Sequence, residues 1–201
     1  MDDSFQTIAN PVKVETKVTG SRFMAETRPI ENVKDAGKFL QSIRKREHAA
    51  SHHCYGYRAG IGDSAESKYS DDGEPNGTAG KPIYDCITGR MLTNVLVVVT
   101  RYFGGTKLGT GGLARSYSAA AAWALDKSGV KTVYLTDQLS LQVGIKYYEP
   151  ILKVIAKYEA GQKSTEFSDN VKLSVAVRKS QTKKFIEAVT NLTNGQIKVS
   201  L

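Results

Sequence analysis

The 201-residue chain has few of the features on which secreted, fibrous or membrane proteins rely. Cysteine occurs twice, at Cys54 and Cys86, too few for a disulfide framework and in keeping with a reducing compartment. No apolar run approaches the roughly 20 residues needed to span a bilayer. The opening MDDSFQTIAN is acidic and polar and lacks the basic and apolar regions of a secretory signal. There is no low-complexity tract and no repeat at a solenoid period. What remains is an ordinary globular balance of 40% hydrophobic and 24% charged residues, enough to bury a core without covalent staples. The expectation is a soluble cytoplasmic protein.

Charge of one sign is in excess. With 28 Lys+Arg against 20 Asp+Glu the formal net charge is +8, which favours anionic partners through an attraction that salt weakens. From Gln138 onward there are 10 basic and 5 acidic residues, and before it 18 and 15. With no polylysine block or basic tail, any cationic surface has to be assembled by folding.

Two segments of different character meet near residues 129–137. In the second, Leu139, Leu141, Val143 and Ile145 alternate with polar residues as in a half-buried strand. Tyr148, Ile151, Leu152, Ile155 and Tyr158 then recur at helical spacing, with Pro150 tolerable in the first turn and Gly161 read as the stop. Residues 162–167 form a weaker strand, followed by turn chemistry at Asp169-Asn170. Val171, Leu173, Val175 and Val177 alternate again. Phe185, Ile186, Val189 and Leu192 mark a helix stopped near Asn194-Gly195, and Ile197, Val199 and Leu201 a last strand. The order is βαββαβ.

The first segment is rich in glycine and long loops. Residues 7–18 and 21–29 read as strands around Thr19-Gly20. Val33, Ala36, Phe39, Leu40 and Ile43 trace an apolar helical stripe, with Arg44, Lys45 and Arg46 on the water side. Residues 52–59 read as a strand, 62–80 as a polar loop, and 79–90 contain a helix. The unbroken Val95–Val99 run is the mark of a central strand covered on both faces. An alanine-rich helix around residues 113–125 can sit close to a sheet. The whole predicts an α+β protein of two domains, residues 1–133 and 134–201.

Three stretches carry chemistry. RYFGGTKLGTGGLARS, residues 101–116, places five glycines between the buried strand and the alanine-rich helix. There the backbone can approach a ligand, and the helix start offers unpaired N–H groups to an anion. Arg101, Gly104, Gly105, Lys107, Gly109, Gly111, Gly112 and Arg115 form the candidate anion- or nucleic-acid-binding set. The spacing is not that of a P-loop; the bland alternative is a tight strand-to-helix turn. YSDDGEPNGTAGKP, residues 69–82, crowds Asp71, Asp72 and Glu74. They can hold a metal or share a proton, but a loop pinned by carboxylate-to-backbone bonds and a partner for Arg101 fit better. In SHHCYGYR, residues 51–58, His52, Cys54, Gly56 and Arg58 share one strand face, and His53, Tyr55 and Tyr57 the other. Cys54 reads as a core thiol rather than a nucleophile, and Tyr55 and Tyr57 can stack bases if their face is open. No cofactor and no metal is expected.

Taken in order, Ser21-Arg22-Phe23, ASHHCYGY, SDDGEPNGTAGKP and NVLVVVTRYFGGTKLGTGGLARSY resemble the signature of the IMPACT/YigZ family, and the βαββαβ tail is similar to the second domain of its bacterial members. The resemblance implies an N-terminal ribosomal-protein-type α+β domain, like domain IV of elongation factor G. It also implies a C-terminal ferredoxin-like domain, like domain V of that factor. It further implies RNA or ribosome contact, with His52, Asp71, Asp72 and Glu74 in the same groove as the glycine-rich loop. Eukaryotic members restrain a stress-responsive translation kinase by competing for its activator. The favoured expectation is a translation-associated accessory protein that binds RNA or the ribosome and is not an enzyme. The alternatives are a protein-interaction regulator of translational stress control and an enzyme on a small phosphorylated or peptide substrate.

Overall fold

A computed structural model describes residues 3–201. The chain is α+β and divides into two compact units, Phe5–Val133 and Tyr134–Leu201 with Asp3 and Ser4.

The first unit is built on a five-stranded sheet. Its strands are β2 (Lys13–Val18), β3 (Ser21–Pro29), β4 (His52–Ala59), β5 (Glu66–Ser70) and β6 (Val95–Tyr102), in the order β2-β3-β6-β4-β5. β6 is central and its Val95–Arg101 are all buried, as its β-branched run predicts. One face carries α2 (Gly80–Thr88) and α3 (Gly109–Ser128), which pack Ile83, Ile87, Leu113, Tyr117, Ala120, Ala121 and Ala124 on Phe23, Ala25, Cys54, Val97 and Val99. The small alanines let α3 lie close to the strands. The other face is covered by α1 (Val33–Arg46), whose Val33, Ala36, Phe39, Leu40 and Ile43 cover Tyr55, Tyr57, Leu96 and Val98. α1 starts where Asn32 accepts from the Asp35 N–H, and it ends in Arg44, Lys45 and Arg46, in keeping with the helix dipole.

Several local expectations change. The stretch 7–18 is two strands, because the chain turns at Asn10-Pro11; β1 (Ser4–Ile8) pairs with β7 (Val130–Tyr134) in a separate two-stranded sheet. The polar stretch 62–80 contains the edge strand β5, whose polarity hid it because an edge exposed to water needs few apolar residues. The α1 cover closes the face of Tyr55 and Tyr57, both buried, so neither ring is open to a base.

The second unit runs β8 (Thr136–Val143), α4 (Tyr148–Lys157), β9 (Gly161–Phe167), β10 (Val171–Arg178), α5 (Thr182–Leu192), β11 (Lys198–Ser200). Its sheet is antiparallel in the order β11-β8-β10-β9. Leu139, Leu141, Val143, Leu173 and Val175 meet Ile151, Ile155, Phe185 and Val189 in one core. Ile145 leaves the strand for a 3-10 turn and is exposed. The stop after α4 is Glu159, at φ +51°, and not Gly161, which opens β9.

Two glycines test how tightly the first unit packs. A Cβ on Gly104 would sit 1.9 Å from the carbonyl carbon of Gly20, whereas one on Gly37, inside α1, would meet nothing within 4 Å. Gly104→Ala is expected to cost at least about 2 kcal/mol through backbone displacement. Gly37→Ala is expected to stabilise by about 0.5–1 kcal/mol through helix propensity. Urea unfolding of the two variants checks both signs.

Candidate functional site

At one end of the five-stranded sheet, β3, β4 and β6 bring Phe23, His52 and Arg101 side by side, since Arg101 is the register partner of both Phe23 and His52. The loop after β5 folds over them. Its shape is set by Asp71, whose Oδ1 accepts from the Ala79 and Gly80 N–H groups and whose Oδ2 accepts from Gly77 N–H. This carboxylate therefore caps the start of α2 from eight or nine residues away. Asp72, at φ +45°, accepts from the His53 N–H at 2.7 Å and from Arg44 at 2.7 Å. Arg44, placed by its helical position on the water side, thus ties α1 to this loop. Gly73 follows at φ +89° and lets the chain turn beside the His52 ring.

That turn delivers Glu74 into the interior. One carboxylate oxygen, Oε1, accepts from Arg101 Nη1 at 2.6 Å and from the Tyr117 hydroxyl at 2.7 Å, with His52 Nε2 3.9 Å away. The Glu74 and Arg101 side chains are only 4% and 5% exposed. Arg101 Nη2 also donates to Ser21 Oγ, which accepts in turn from the Gly104 N–H. The guanidinium lies between Phe23 and Phe103, at 5.5 and 5.4 Å from their ring centres, and its Nε has no hydrogen-bond partner. Arg101 was expected in the anion-binding set. Its charge is instead matched by Glu74 beneath the surface, which withdraws it from any surface ligand.

Cys54 is fully buried; its thiol donates to the Asp71 carbonyl, and burial pushes its pKa up, so it is held as a neutral thiol. Burial likewise raises the Tyr117 hydroxyl, which stays a donor. His53 lies under the opposite face near Thr100 and is held below the ordinary imidazole range by burial. Among the described residues no cluster of His, Cys, Asp or Glu is arranged to hold a metal ion.

The rest of the glycine-rich stretch lies outside this interior. Gly104 packs against Gly20, and Gly105 at φ +86° turns the chain outward. Gly109, Gly111 and Gly112 are not loop residues but the first turn of α3. No side chain caps that turn and no acidic residue stands in it. Arg115 Nη1 lies 3.3 Å from where a Cβ on Gly111 would be, so its guanidinium folds back over the turn. Lys107 and Arg115 are exposed, and neither forms an ion pair among the described residues. Phe103 stands half exposed beside them in the chain. Sequence reasoning gave no role to Tyr117 or Ser21. Tyr117 follows Leu113 by four residues on the buried face of α3, which is the signal that was available.

A family model described as Impact N-terminal domain matches residues 19–125, the span that contains all of these residues. The chain belongs to the IMPACT family. A second model, described as Domain of unknown function (DUF1949), matches residues 148–196. The chain is 33% identical over 193 residues to IMPACT family member YvyE of Bacillus subtilis (strain 168), covering 96% of this chain and 88% of that one. It is 30% identical over 192 residues to IMPACT family member YigZ of Escherichia coli (strain K12), with 95% and 94% covered. A solved structure described as that of an hypothetical protein superposes with a TM-score of 0.71 at 29% identity, over 99% of this chain and 97% of the other. These matches therefore extend over both units of the chain. No helix of the described residues is long and apolar enough to cross a membrane.

A second charged network borders the IMPACT site. Glu47, just after α1, receives hydrogen bonds from Arg46, Lys13 and the Tyr102 hydroxyl, and Arg46 also bonds Glu26. Burial raises the Glu47 carboxyl, but these three donors outweigh it and hold the pKa at about 2 against an ordinary 4.5. The folded value is depressed, so its stabilisation is complete above the ordinary value and is lost as pH falls from about 4.5 to about 2. Unfolding titrations should show wild type losing stability across that window and Glu47→Gln losing roughly 1 kcal/mol less, the surface-network range.

Proposed function

We propose that the IMPACT unit binds RNA, free or on the ribosome, through the start of α3, and that the chain is a translation-associated accessory protein. The observation that carries this is the first turn of α3. Its N–H groups lack a side-chain cap and an acidic neighbour, while Lys107 and Arg115 stand exposed without ion-pair partners among the described residues. A helix start of this kind favours an anion through unpaired donors and the positive end of the dipole. Two flexible cations beside it suit the repeated phosphates of a nucleic acid, and the half-exposed Phe103 adds a ring on which a base can stack. The net charge of +8 acts in the same direction at long range.

The architecture agrees with that assignment. The order β11-β8-β10-β9 of the second unit supports a ferredoxin-like fold for it, and the family resemblance pairs such a domain with a ribosomal-protein-type unit, as in domains V and IV of elongation factor G. Function still rests on the site and not on the likeness of fold.

Fluorescence anisotropy with a structured RNA tests the proposal. Wild type should bind with an affinity that falls steeply with salt. Lys107→Ala with Arg115→Ala should weaken binding and reduce the salt slope by about one for each lost phosphate contact, with unfolding unchanged. Unaltered affinity in the double variant would exclude the start of α3 as the site.

A further inference from the structure

Tryptophan occurs once in the chain, at Trp123 in α3, and this residue is 41% exposed. A side chain of that size is normally buried over most of its surface, and a ring left half open suits a binding surface. Its position on the helix belongs to a pattern. Gly111, Arg115, Ala119, Trp123 and Lys127 follow one another at intervals of four, and all five are exposed. Residues four apart form a continuous ridge on a helix surface. This ridge begins in the first turn of α3 and runs nearly to its end, while Leu113, Tyr117, Ala120, Ala121 and Ala124 form the buried side.

Along the ridge a cation is followed by a small residue, an aromatic ring and a second cation. Neither Arg115 nor Lys127 forms an ion pair among the described residues. The one acidic residue of α3, Asp126, is already matched, since Arg90 donates to its Oδ1 from Nε at 3.0 Å and from Nη2 at 2.7 Å. From Cys86 to Leu125 the sequence contains no Asp or Glu. The face is therefore cationic, and its apolar element is a flat ring. Cations that track a backbone and a ring that takes a base are the two needs of an unpaired nucleic-acid strand. We propose that an unpaired stretch of RNA lies along this ridge, with phosphates at Arg115 and Lys127 and one base stacked on Trp123. The assignment rests on the RNA-binding reading of the start of α3 and extends it along the helix. With a rise of 1.5 Å per residue, Trp123 stands about 12 Å and Lys127 about 18 Å beyond Arg115. A duplex keeps its bases stacked on one another, so it offers none to Trp123, and the ridge selects single-stranded RNA.

Because Trp123 is the single tryptophan, the intrinsic tryptophan emission of the full chain reports on this position alone. The test is a titration with an unstructured oligoribonucleotide and with an RNA duplex of the same length, read by that emission and by anisotropy. The single strand should quench the emission and bind about tenfold or more tightly than the duplex, the range for stacking of one base. Trp123→Ala should remove that advantage without changing the salt slope, since a ring neutralises no phosphate. Trp123→Phe keeps a ring on the helix surface and should retain most of the affinity, which separates lost stacking from lost folding. Lys127→Ala should lower the salt slope by about one. Single-strand binding with unchanged emission, and with equal affinity in Trp123→Ala, would overturn the ridge while leaving the start of α3 as the RNA site. A duplex that binds as tightly and quenches as much would also overturn it. Binding of neither RNA would overturn the RNA-binding function and the ridge together. Emission that shifts with protein concentration alone would assign the ring to contact between copies of the chain and overturn the proposal.

Discussion

A carboxylate taken out of water has to be matched by a charge and by hydrogen bonds, and Glu74 is the point at which this chain meets that requirement. Its partners come from three separate stretches: Arg101 at the end of the central strand, Tyr117 in α3, and, through Arg101, Ser21 at the start of β3. Removing one member of such a buried pair typically costs about 3–5 kcal/mol, a large share of the 5–15 kcal/mol that usually holds a domain together. The loop of residues 71–80 therefore cannot move independently of the sheet. Ser21 passes the constraint on to the Gly104 N–H, and so to the turn from which the exposed rim departs.

The geometry separates a rigid interior from an exposed cationic rim. Inside, Asp71 and Asp72 are consumed by backbone N–H groups and by Arg44, and they fix the turn that lets Glu74 point inward. Outside, the start of α3 carries Lys107 and Arg115, which form no ion pair among the described residues. A surface of this kind costs little conformational adjustment on binding, because its backbone is held from below. Under the proposed function, the cationic side chains are left to follow a phosphate chain.

Much of this was legible in the sequence. The β-branched run at Val95–Val99 marked the central strand, and the alternation at Leu139–Val143 and Val171–Val177 marked the second unit, because burial on a strand writes a period of one or two into the chain. The three carboxylates at residues 71–74 were legible as a pinned loop with Arg101 as partner. What could not be read was tertiary. Polarity concealed β5, since an edge strand needs no apolar face, and nothing local distinguishes a cap supplied by Asp71 from an ordinary turn. Arg101 stood in two expectations, as an anion-binding residue and as the partner of these carboxylates, and its register beside His52 and Phe23 with its bond to Glu74 decides for the second. Arg44 and Tyr117 gained roles from segments 28 and 43 residues away in the chain.

Amide hydrogen exchange at Gly104 tests most directly whether Glu74 holds the rim in place. The amides of Val97 and Val98, inside the central strand, serve as internal references for global opening. If the chain of contacts from Glu74 through Arg101 and Ser21 fixes the loop, Gly104 exchanges slowly in the wild type. In Glu74→Gln it then becomes fast while the two valines remain protected. Exchange at Gly104 that is equally slow in both proteins, with the valines unchanged, would contradict the dependence of the loop on the buried carboxylate.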